Sequence, residues 1–234
     1  MVSSVISGEN MKKKYSLGEV EVIALDIDSL KIEKGDFISI MGPSGSGKST
    51  LLNILGCEDE LTDGELTIDS KSVKDLSKKE INKLRREDIG YVFQSFNLLA
   101  HLSAIENVIL PLIPYKTSFN LRNRGEELLR SVGLENRTKH LPSQMSGGEQ
   151  QRLAIARSLI NSPKIIIADE PTGNLDTKFR DDIMNIFEKL NNDGYTIIMA
   201  THDMEAAKRA KKTIYLRDGK IIKVEVNNNA ELYI

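Results

Sequence analysis

The sequence predicts an α/β fold with a mostly parallel sheet, because short apolar runs alternate with longer amphipathic stretches along most of the chain. The apolar runs include DFISI, IGYVF, KIIIA, YTIIMA and TIYL. Three isoleucines stand in a row at 165–167, which is typical of a strand covered on both faces. A length of 234 residues and a hydrophobic share of 40% allow one large domain or a domain with an inserted subdomain.

The two ends of the chain and two internal segments differ from this alternation. About the first 35 residues and the stretch DGELTIDSKSV show polar alternation, which predicts an antiparallel β subdomain. Near the end, Asp218 and Gly219 separate two apolar runs and predict a hairpin. Residues 95–150 hold helical patterns and no convincing strand, and Ser103 and Glu106 have the spacing of a capping box. We therefore expect a single domain, 1–234, with a helical subdomain inserted at 95–150.

Composition excludes several classes of protein. The net charge of −2 gives no indication of a nucleic-acid partner. The single cysteine, Cys57, excludes an internal disulfide framework and a cysteine-rich zinc site, so we expect it to be a packing residue. No apolar run reaches about 18 residues and no signal-peptide pattern is present, which predicts a cytosolic protein. The lysines at 12–14 are expected to be a solvated strand end.

The segment MGPSGSGKST follows a predicted strand and opens a helical pattern, which is the context of a phosphate-binding loop. Its glycines let backbone N–H groups converge on phosphate oxygens, and the helix N-terminus adds partial positive charge. Lys48 is expected to reach the β- and γ-phosphates, and the Ser49 hydroxyl to bind Mg²⁺. The expected nucleotide contacts in this segment are Gly42, Ser44, Gly45, Ser46, Gly47, Lys48, Ser49 and Thr50.

A second nucleotide element is KIIIADEPT, in which an apolar run carries Asp169 to the end of a strand. There the carboxylate can hold Mg²⁺ through its water shell. Glu170 comes one step later, where a carboxylate can orient or deprotonate the attacking water. Small signalling GTPases lack this Asp-Glu pair and position water differently.

The stretch MSGGEQQRLAIARSL resembles the signature motif of the ATP-binding-cassette (ABC) family, usually L-S-G-G-Q. Ser146 and Glu149 have capping-box spacing, and Gly147 and Gly148 leave backbone N–H groups open to an anion. The resemblance implies that Ser146, Gly147 and Gly148 bind the γ-phosphate of ATP held by a second subunit. Met145 and Glu149 depart from the usual Leu and Gln, and the negative charge of Glu149 is expected to weaken this contact somewhat.

Further motifs follow in the order of the family and extend the resemblance from about Tyr15 to Val226. It implies that Gln94 links the metal and the attacking water to the helical subdomain, and that His202 contacts the γ-phosphate. Tyr15 resembles the aromatic residue that stacks on adenine, and residues 173–176 resemble the loop that crosses the dimer interface. The implied fold is that of a P-loop NTPase with a RecA-like core. The implied catalytic residues are Glu170, His202 and Gln94, and the implied metal ligands are Ser49, Gln94 and Asp169.

The motifs look like the macrolide-export and lipoprotein-release branch of the family. That resemblance implies an ATPase subunit that uses ATP and Mg²⁺ and forms an ATP-dependent homodimer. It also implies separate transmembrane permease subunits of the four-helix type with an external domain, which would hold this chain at the inner face of the membrane. The permease is expected to dock at a groove near Phe96 to Leu112.

Two other functions are weighed against this one. ABC ATPases of DNA repair carry zinc cysteines or long coiled-coil insertions, and ribosomal ones carry two cassettes in one chain. This sequence has neither feature. An inactive nucleotide-binding regulator is the other alternative, but every catalytic position is filled.

Overall fold

The computed structural model describes residues 4–18, 20–173 and 177–227. The strands are β1 (Ser4–Leu17), β2 (Val20–Glu33), β3 (Phe37–Met41), β4 (Asp63–Ile68), β5 (Lys71–Ser72), β6 (Ile89–Val92), β7 (Ile165–Asp169), β8 (Thr196–Ala200), β9 (Lys212–Arg217) and β10 (Lys220–Val226). The α-helices are α1 (Lys48–Leu55), α2 (Lys78–Asp88), α3 (Ala104–Ile109), α4 (Leu121–Ser131), α5 (Gly147–Ser158), α6 (Thr177–Asn192) and α7 (Met204–Lys208). None of the helices within these residues is long and apolar enough to cross a membrane.

Two sheets form the β structure. The larger has the order β10-β9-β3-β8-β7-β6 and is parallel apart from β10, which forms the predicted hairpin with β9. The smaller has the order β2-β1-β4-β5 and is antiparallel. The predicted α/β class, with a mostly parallel core sheet and an N-terminal antiparallel sheet, is confirmed.

The parallel sheet is covered on both faces, as the isoleucine run predicts. Ile166 packs in a core that it shares with α3, α4, α5 and α6. Its neighbours Ile165 and Ile167 belong to a second core, formed with α1 and the antiparallel sheet. All three side chains are fully buried. Cys57 lies in this second core, and burial raises the pKa of its thiol to about 11, which fits a packing residue.

Helices occupy the chain between β6 and β7, two strands that are direct neighbours in the sheet. Helix α3 begins with the predicted cap, in which the backbone N–H of Ser103 donates to the Glu106 carboxylate over 2.8 Å. Helix α4 ends before Gly133, whose φ of +72° is a left-handed conformation that glycine accepts without strain. Helix α5 starts inside the predicted insertion and ends beyond it, at Ser158.

Candidate nucleotide site

Four of the parallel strands bring the sequence motifs to one edge of the sheet. Strands β3, β8, β7 and β6 are consecutive neighbours, and their carboxyl ends lie side by side. Each is followed within two residues by a predicted site residue: Gly42 after β3, His202 after β8, Glu170 after β7 and Gln94 after β6. Ligands of open α/β sheets bind at this carboxyl edge. The strand order therefore assembles one candidate site from four distant segments.

The loop between β3 and α1 requires glycine at particular positions. Gly45 and Gly47 have φ values of +78° and +100°, in the region that favours glycine. A Cβ on Gly47 would lie 2.6 Å from the carbonyl oxygen of Ala24, and one on Gly42 would lie 2.1 Å from that of Leu216. The strand-loop-helix geometry thus depends on close backbone approach, as a phosphate cradle does.

The polar side chains of the loop converge on the start of α1. The Lys48 ammonium donates to the carbonyl oxygens of Gly42 and Pro43, over 2.8 and 3.1 Å, so it folds back across the loop. The hydroxyl of Ser46 is buried without a hydrogen-bond partner among the described residues. A loop that holds a cation across its backbone and contains a buried unpaired hydroxyl fits a phosphate group.

The two principal candidates for metal ligands are neighbours. The Ser49 side chain lies close enough to the Asp169 carboxylate to favour its charged form. Burial raises the pKa of Asp169, and the adjacent Glu170 adds to this, whereas Ser49 and the Lys48 cation act in the opposite direction. A hydroxyl and a carboxylate oxygen beside the phosphate loop form a hard-oxygen donor set, which fits Mg²⁺.

Glu170 is held in a specific orientation. Its φ of +46° is unusual for a residue with a side chain, and its N–H donates to the carbonyl oxygen of Ala200 over 2.9 Å. One carboxylate oxygen lies 2.9 Å from Nδ1 of His202 and also accepts the His202 backbone N–H over 3.3 Å. The Glu170 side chain is 12% exposed and that of His202 is 68% exposed. The carboxylate is thus sheltered, and the imidazole extends from it into solvent.

The segment that carries Gln94 is fixed from the signature helix. Phe96 and Asn97 both have left-handed backbones, with φ values of +60° and +49°. The Arg157 guanidinium, near the end of α5, donates to both of their carbonyl oxygens. The amide nitrogen of Gln94 lies 3.7 Å from the point where a Cβ on Gly173 would sit. Gln94 therefore lies close to the residue that precedes the loop 174–176, and that loop is outside the described residues.

The signature segment forms the N-terminus of α5. The hydroxyl of Ser146 accepts the backbone N–H of Glu149, and the Glu149 side chain accepts the N–H of Ser146, which is the predicted capping box. Gly147 is exposed, whereas Gly148 packs so closely on Phe179 that a Cβ would lie 2.9 Å from its ring. Met145 is a buried core residue, so its replacement of the usual Leu keeps an apolar side chain.

Tyr15 lies near the phosphate loop and is held by several groups. Its hydroxyl donates to Asp59 over 2.7 Å and lies near the Thr50 side chain, in the first turn of α1. The Lys13 ammonium lies 4.9 Å from the ring centroid and 2.5 Å from the same carboxylate. The expectation that this lysine is solvated is wrong, since its side chain is only 12% exposed.

The predicted residues thus fall into two groups. Gln94, the loop, Asp169, Glu170 and His202 meet at the sheet edge, with Tyr15 beside them through Thr50. Ser146 begins a helix elsewhere, and among the described residues no hydrogen bond joins the segment 146–148 to the loop 42–50. The structure therefore presents a phosphate cradle and a separate helix N-terminus with open N–H groups.

Residues 25–173 match the family model described as ABC transporter. The chain belongs to the ABC transporter family. The motif-based prediction of an ATPase cassette is thereby confirmed.

Relatives and solved structures extend this match. The chain is 50% identical over 217 residues to the macrolide export ATP-binding/permease protein MacB of Bdellovibrio bacteriovorus, covering 93% of this chain and 33% of that relative. It is 49% identical over 227 residues to the uncharacterized ABC transporter ATP-binding protein MJ0796 of Methanocaldococcus jannaschii, covering 94% and 97%. This chain thus spans about a third of the length of the first relative and nearly all of the second.

The fold is shared with solved cassettes. The TM-score is 0.87, at 47% identity, with a dimeric post-hydrolysis structure of the MJ0796 cassette bound to ADP and Pi, covering 94% of this chain and 98% of the other. With cbiO1 of Clostridium perfringens, part of the transporter complex cbiONQ, the TM-score is 0.85 at 30% identity. The match covers 96% of this chain and 88% of the other. The predicted P-loop NTPase fold of the cassette is thereby confirmed.

Sequence reasoning missed the residues that hold the site residues in place. Arg157 fixes the turn after Gln94, and Asp59 with Lys13 holds the ring of Tyr15. Arg137 forms an ion pair with Glu149 of the signature. Arg157, Asp59 and Arg137 each act on a residue at least twelve positions away in the chain, whereas Lys13 lies two residues from Tyr15. No local pattern in the sequence could have identified these pairs.

Proposed function

We propose that two copies of this cassette close around two ATP molecules, and that hydrolysis reopens the dimer and drives separate permease subunits in the membrane. The observation that carries the proposal is the separation of the two phosphate-binding elements. The loop 42–50 lies at the sheet edge, and the open helix N-terminus at Ser146 has no hydrogen bond to it among the described residues. A second copy can bring the two together. The solved structure of MJ0796, a dimer bound to ADP and Pi, supports the association of two copies.

The side chains have distinct roles in this proposal. Lys48 and the loop N–H groups hold the phosphates, and Ser49, Asp169 and Gln94 would hold Mg²⁺. The metal ion would supply positive charge that offsets the negative charge of the phosphates. Glu170 accepts a hydrogen bond from the attacking water and draws off its proton.

His202 completes the arrangement around the γ-phosphate. In this structure, Nδ1 of its imidazole lies 2.9 Å from a carboxylate oxygen of Glu170. With its largely exposed imidazole it can hold Glu170 in place and donate to the phosphate as negative charge develops there. Ser146, Gly147 and Gly148 of the second copy supply the remaining donors. Tyr15 stacks on the adenine.

A groove on the cassette provides a place for the permease. A cavity of about 310 Å³ lies between the helical segment and the sheet and includes Asn97, Leu110, Leu112 and Arg157 in its lining. Asn97 and residues 110–112 of this lining belong to the predicted docking region, 96–112, and the other lining residues lie outside it. Arg157 lines this groove and also holds the carbonyl oxygens of Phe96 and Asn97, next to Gln94. A permease segment seated there would contact the turn that leads to the nucleotide site.

The same proposal covers organisation and location. The chain acts as a single cassette domain, 1–234, with the helical subdomain 95–150 carrying the start of the signature helix. Its permease subunits, of the four-helix type with an external domain, hold it at the cytoplasmic face of the membrane. The names of the MacB relative, an ATP-binding/permease protein, and of cbiO1, part of the transporter complex cbiONQ, support a membrane partner in general.

The test uses Glu170→Gln, which keeps the shape of the side chain and removes its charge. With ATP, this variant should form a stable dimer by size exclusion with light scattering, and its turnover should fall by about 100-fold or more. Glu205→Gln, at an exposed glutamate three residues beyond His202, is the matched control and should hydrolyse ATP normally. Near-normal turnover by Glu170→Gln, or a monomer under all ATP concentrations, would contradict the proposal.

A further inference from the structure

The signature of this cassette carries a carboxylate, Glu149, where the family usually has the neutral Gln. Both of its oxygens are engaged. One accepts the backbone N–H of Ser146 over 2.8 Å, and the other accepts Nε of Arg137, also over 2.8 Å. Arg137 ends a short 3₁₀ turn, and its Nη1 also donates to the ring nitrogen Nε2 of His140 over 3.2 Å. The guanidinium is thus held from two sides, against the first turn of the signature helix.

Glu149 is ionised at neutral pH in this arrangement. The hydrogen bond from the Ser146 backbone, together with Arg137, lowers the pKa of its carboxyl to about 2. The N-terminus of a helix carries roughly half a positive charge, which is what attracts an anion. A full negative charge in the first turn would outweigh that attraction if it stood alone. The nearby guanidinium restores the balance, because it supplies one positive charge in direct contact with the carboxylate.

We propose that Arg137 is a positioning residue that cancels the charge of Glu149 and thereby keeps the signature N-terminus able to bind the γ-phosphate held by the second copy. This inference rests on the proposed function, since it concerns ATP shared between two cassettes. It replaces the expectation that Glu149 by itself weakens the contact. A purely structural tie between the 3₁₀ turn and α5 would use the same hydrogen bonds, but it would not depend on the charge of Glu149.

A double-mutant cycle in the Glu170→Gln protein separates the two roles. The measurement is the ATP concentration at which half of the protein is dimeric, in Mg²⁺ at low salt. Arg137→Ala alone should raise this concentration by about tenfold, because it leaves the carboxylate uncompensated. Adding Glu149→Gln to Arg137→Ala should return it to within about twofold of Glu149→Gln alone. Arg137→Lys, which keeps the charge, should stay close to the parent.

Two controls make the result specific. Arg130→Ala removes an exposed arginine from the last turn of α4 and should leave the midpoint unchanged. Binding of a fluorescent ATP analogue to dilute monomer should also be unchanged in Arg137→Ala, because that step uses the loop at Lys48. Raising salt should shrink the defect of Arg137→Ala, since screening weakens repulsion between the carboxylate and the phosphate.

The outcomes are distinguishable. If the parent dimerises with ATP but Arg137→Ala has the parent's midpoint, the inference is overturned and the proposed function stands. If Arg137→Ala is defective and Glu149→Gln does not restore it, Arg137 acts as a structural tie and the inference is again overturned. If the Glu170→Gln parent never dimerises, the proposed function fails and takes this inference with it.

Discussion

Replacing Tyr15 with alanine should weaken ATP binding to the monomeric cassette by about 1–3 kcal/mol, or about 5- to 150-fold in Kd. The ring is 37% exposed, and the Lys13 ammonium lies over it at 4.9 Å. With Lys13 on one face, the opposite face is the one on which a base can stack. Alanine removes that surface and leaves the carboxylate of Asp59 without its hydroxyl donor.

The phenylalanine variant separates stacking from the hydroxyl group. Tyr15→Phe keeps the ring and loses the hydrogen bond to Asp59, which is partly exposed to solvent. Its cost should therefore stay below about 1 kcal/mol, or about fivefold. The lysine and Asp59 retain their own ion pair and continue to line the site.

The assay is an equilibrium fluorescence titration with ATP at protein concentrations too low for dimerisation. Tyr115→Ala is the matched control, because Tyr115 is also exposed and carries a cation, Arg86, over its ring at 4.0 Å. Its ATP affinity should equal that of the parent. Unchanged affinity in Tyr15→Ala would show that the ring does not contact the base, and the assignment of Tyr15 would be wrong.

Three further predictions follow from individual contacts. Because the folded-state pKa of Glu149 is depressed to about 2 from 4.5, its contribution to stability is present above pH 4.5 and lost as the pH falls toward 2. In urea melts, the difference in unfolding free energy between the parent and Glu149→Gln should shrink over that interval. A difference that stays constant would contradict this prediction. Gly47→Ala should lower the unfolding free energy by about 1–3 kcal/mol and abolish ATP binding, because its Cβ meets the Ala24 carbonyl. Gly133→Ala also has a left-handed φ but open space around its Cβ, so it should lower the unfolding free energy less and bind ATP normally. Arg157→Ala should reduce kcat by on the order of tenfold with little change in ATP affinity, because it frees the turn after Gln94. Equal losses of kcat and of ATP affinity would indicate general unfolding instead.

The sequence predicted the parts of the site that are local and periodic. The apolar runs predicted the strands, Ser103 and Ser146 predicted helix starts, and Asp218 with Gly219 predicted the hairpin, because each pattern reflects hydrogen bonds within a few residues. The strand order β3-β8-β7-β6, which brings the motifs together, could be expected only from the family resemblance.

The contacts that tune the site were not predictable in this way. Lys13 was expected to be solvated, but it pairs with Asp59, forty-six residues away in the chain. Glu149 was expected to place an unbalanced charge beside a phosphate, and Arg137 balances it from a separate turn. Such pairs depend on how elements pack, and neither partner carries a local sign of the other.

In the proposed mechanism, Ser146 of one copy completes the site built on Lys48 of another. Ser146→Arg, which fills the anion site with bulk, and Lys48→Ala, which empties the loop, should each be nearly inactive. In a mixed dimer both lesions fall in one site, and the other site has an intact Lys48 and an intact Ser146.

The most direct measurement is ATPase activity against the mixing ratio of these two variants, with heterodimer formation checked by crosslinking. We expect the activity to be highest near equal mixing, provided that one intact site supports turnover. If both sites are required for turnover, the mixture stays inactive and a crosslink replaces activity as the test. Cysteines placed at Ser146 and Ser44 in the Glu170→Gln protein should then crosslink between chains when ATP is present. Background activity at every ratio, together with a crosslink that forms only within one chain, would contradict the shared site.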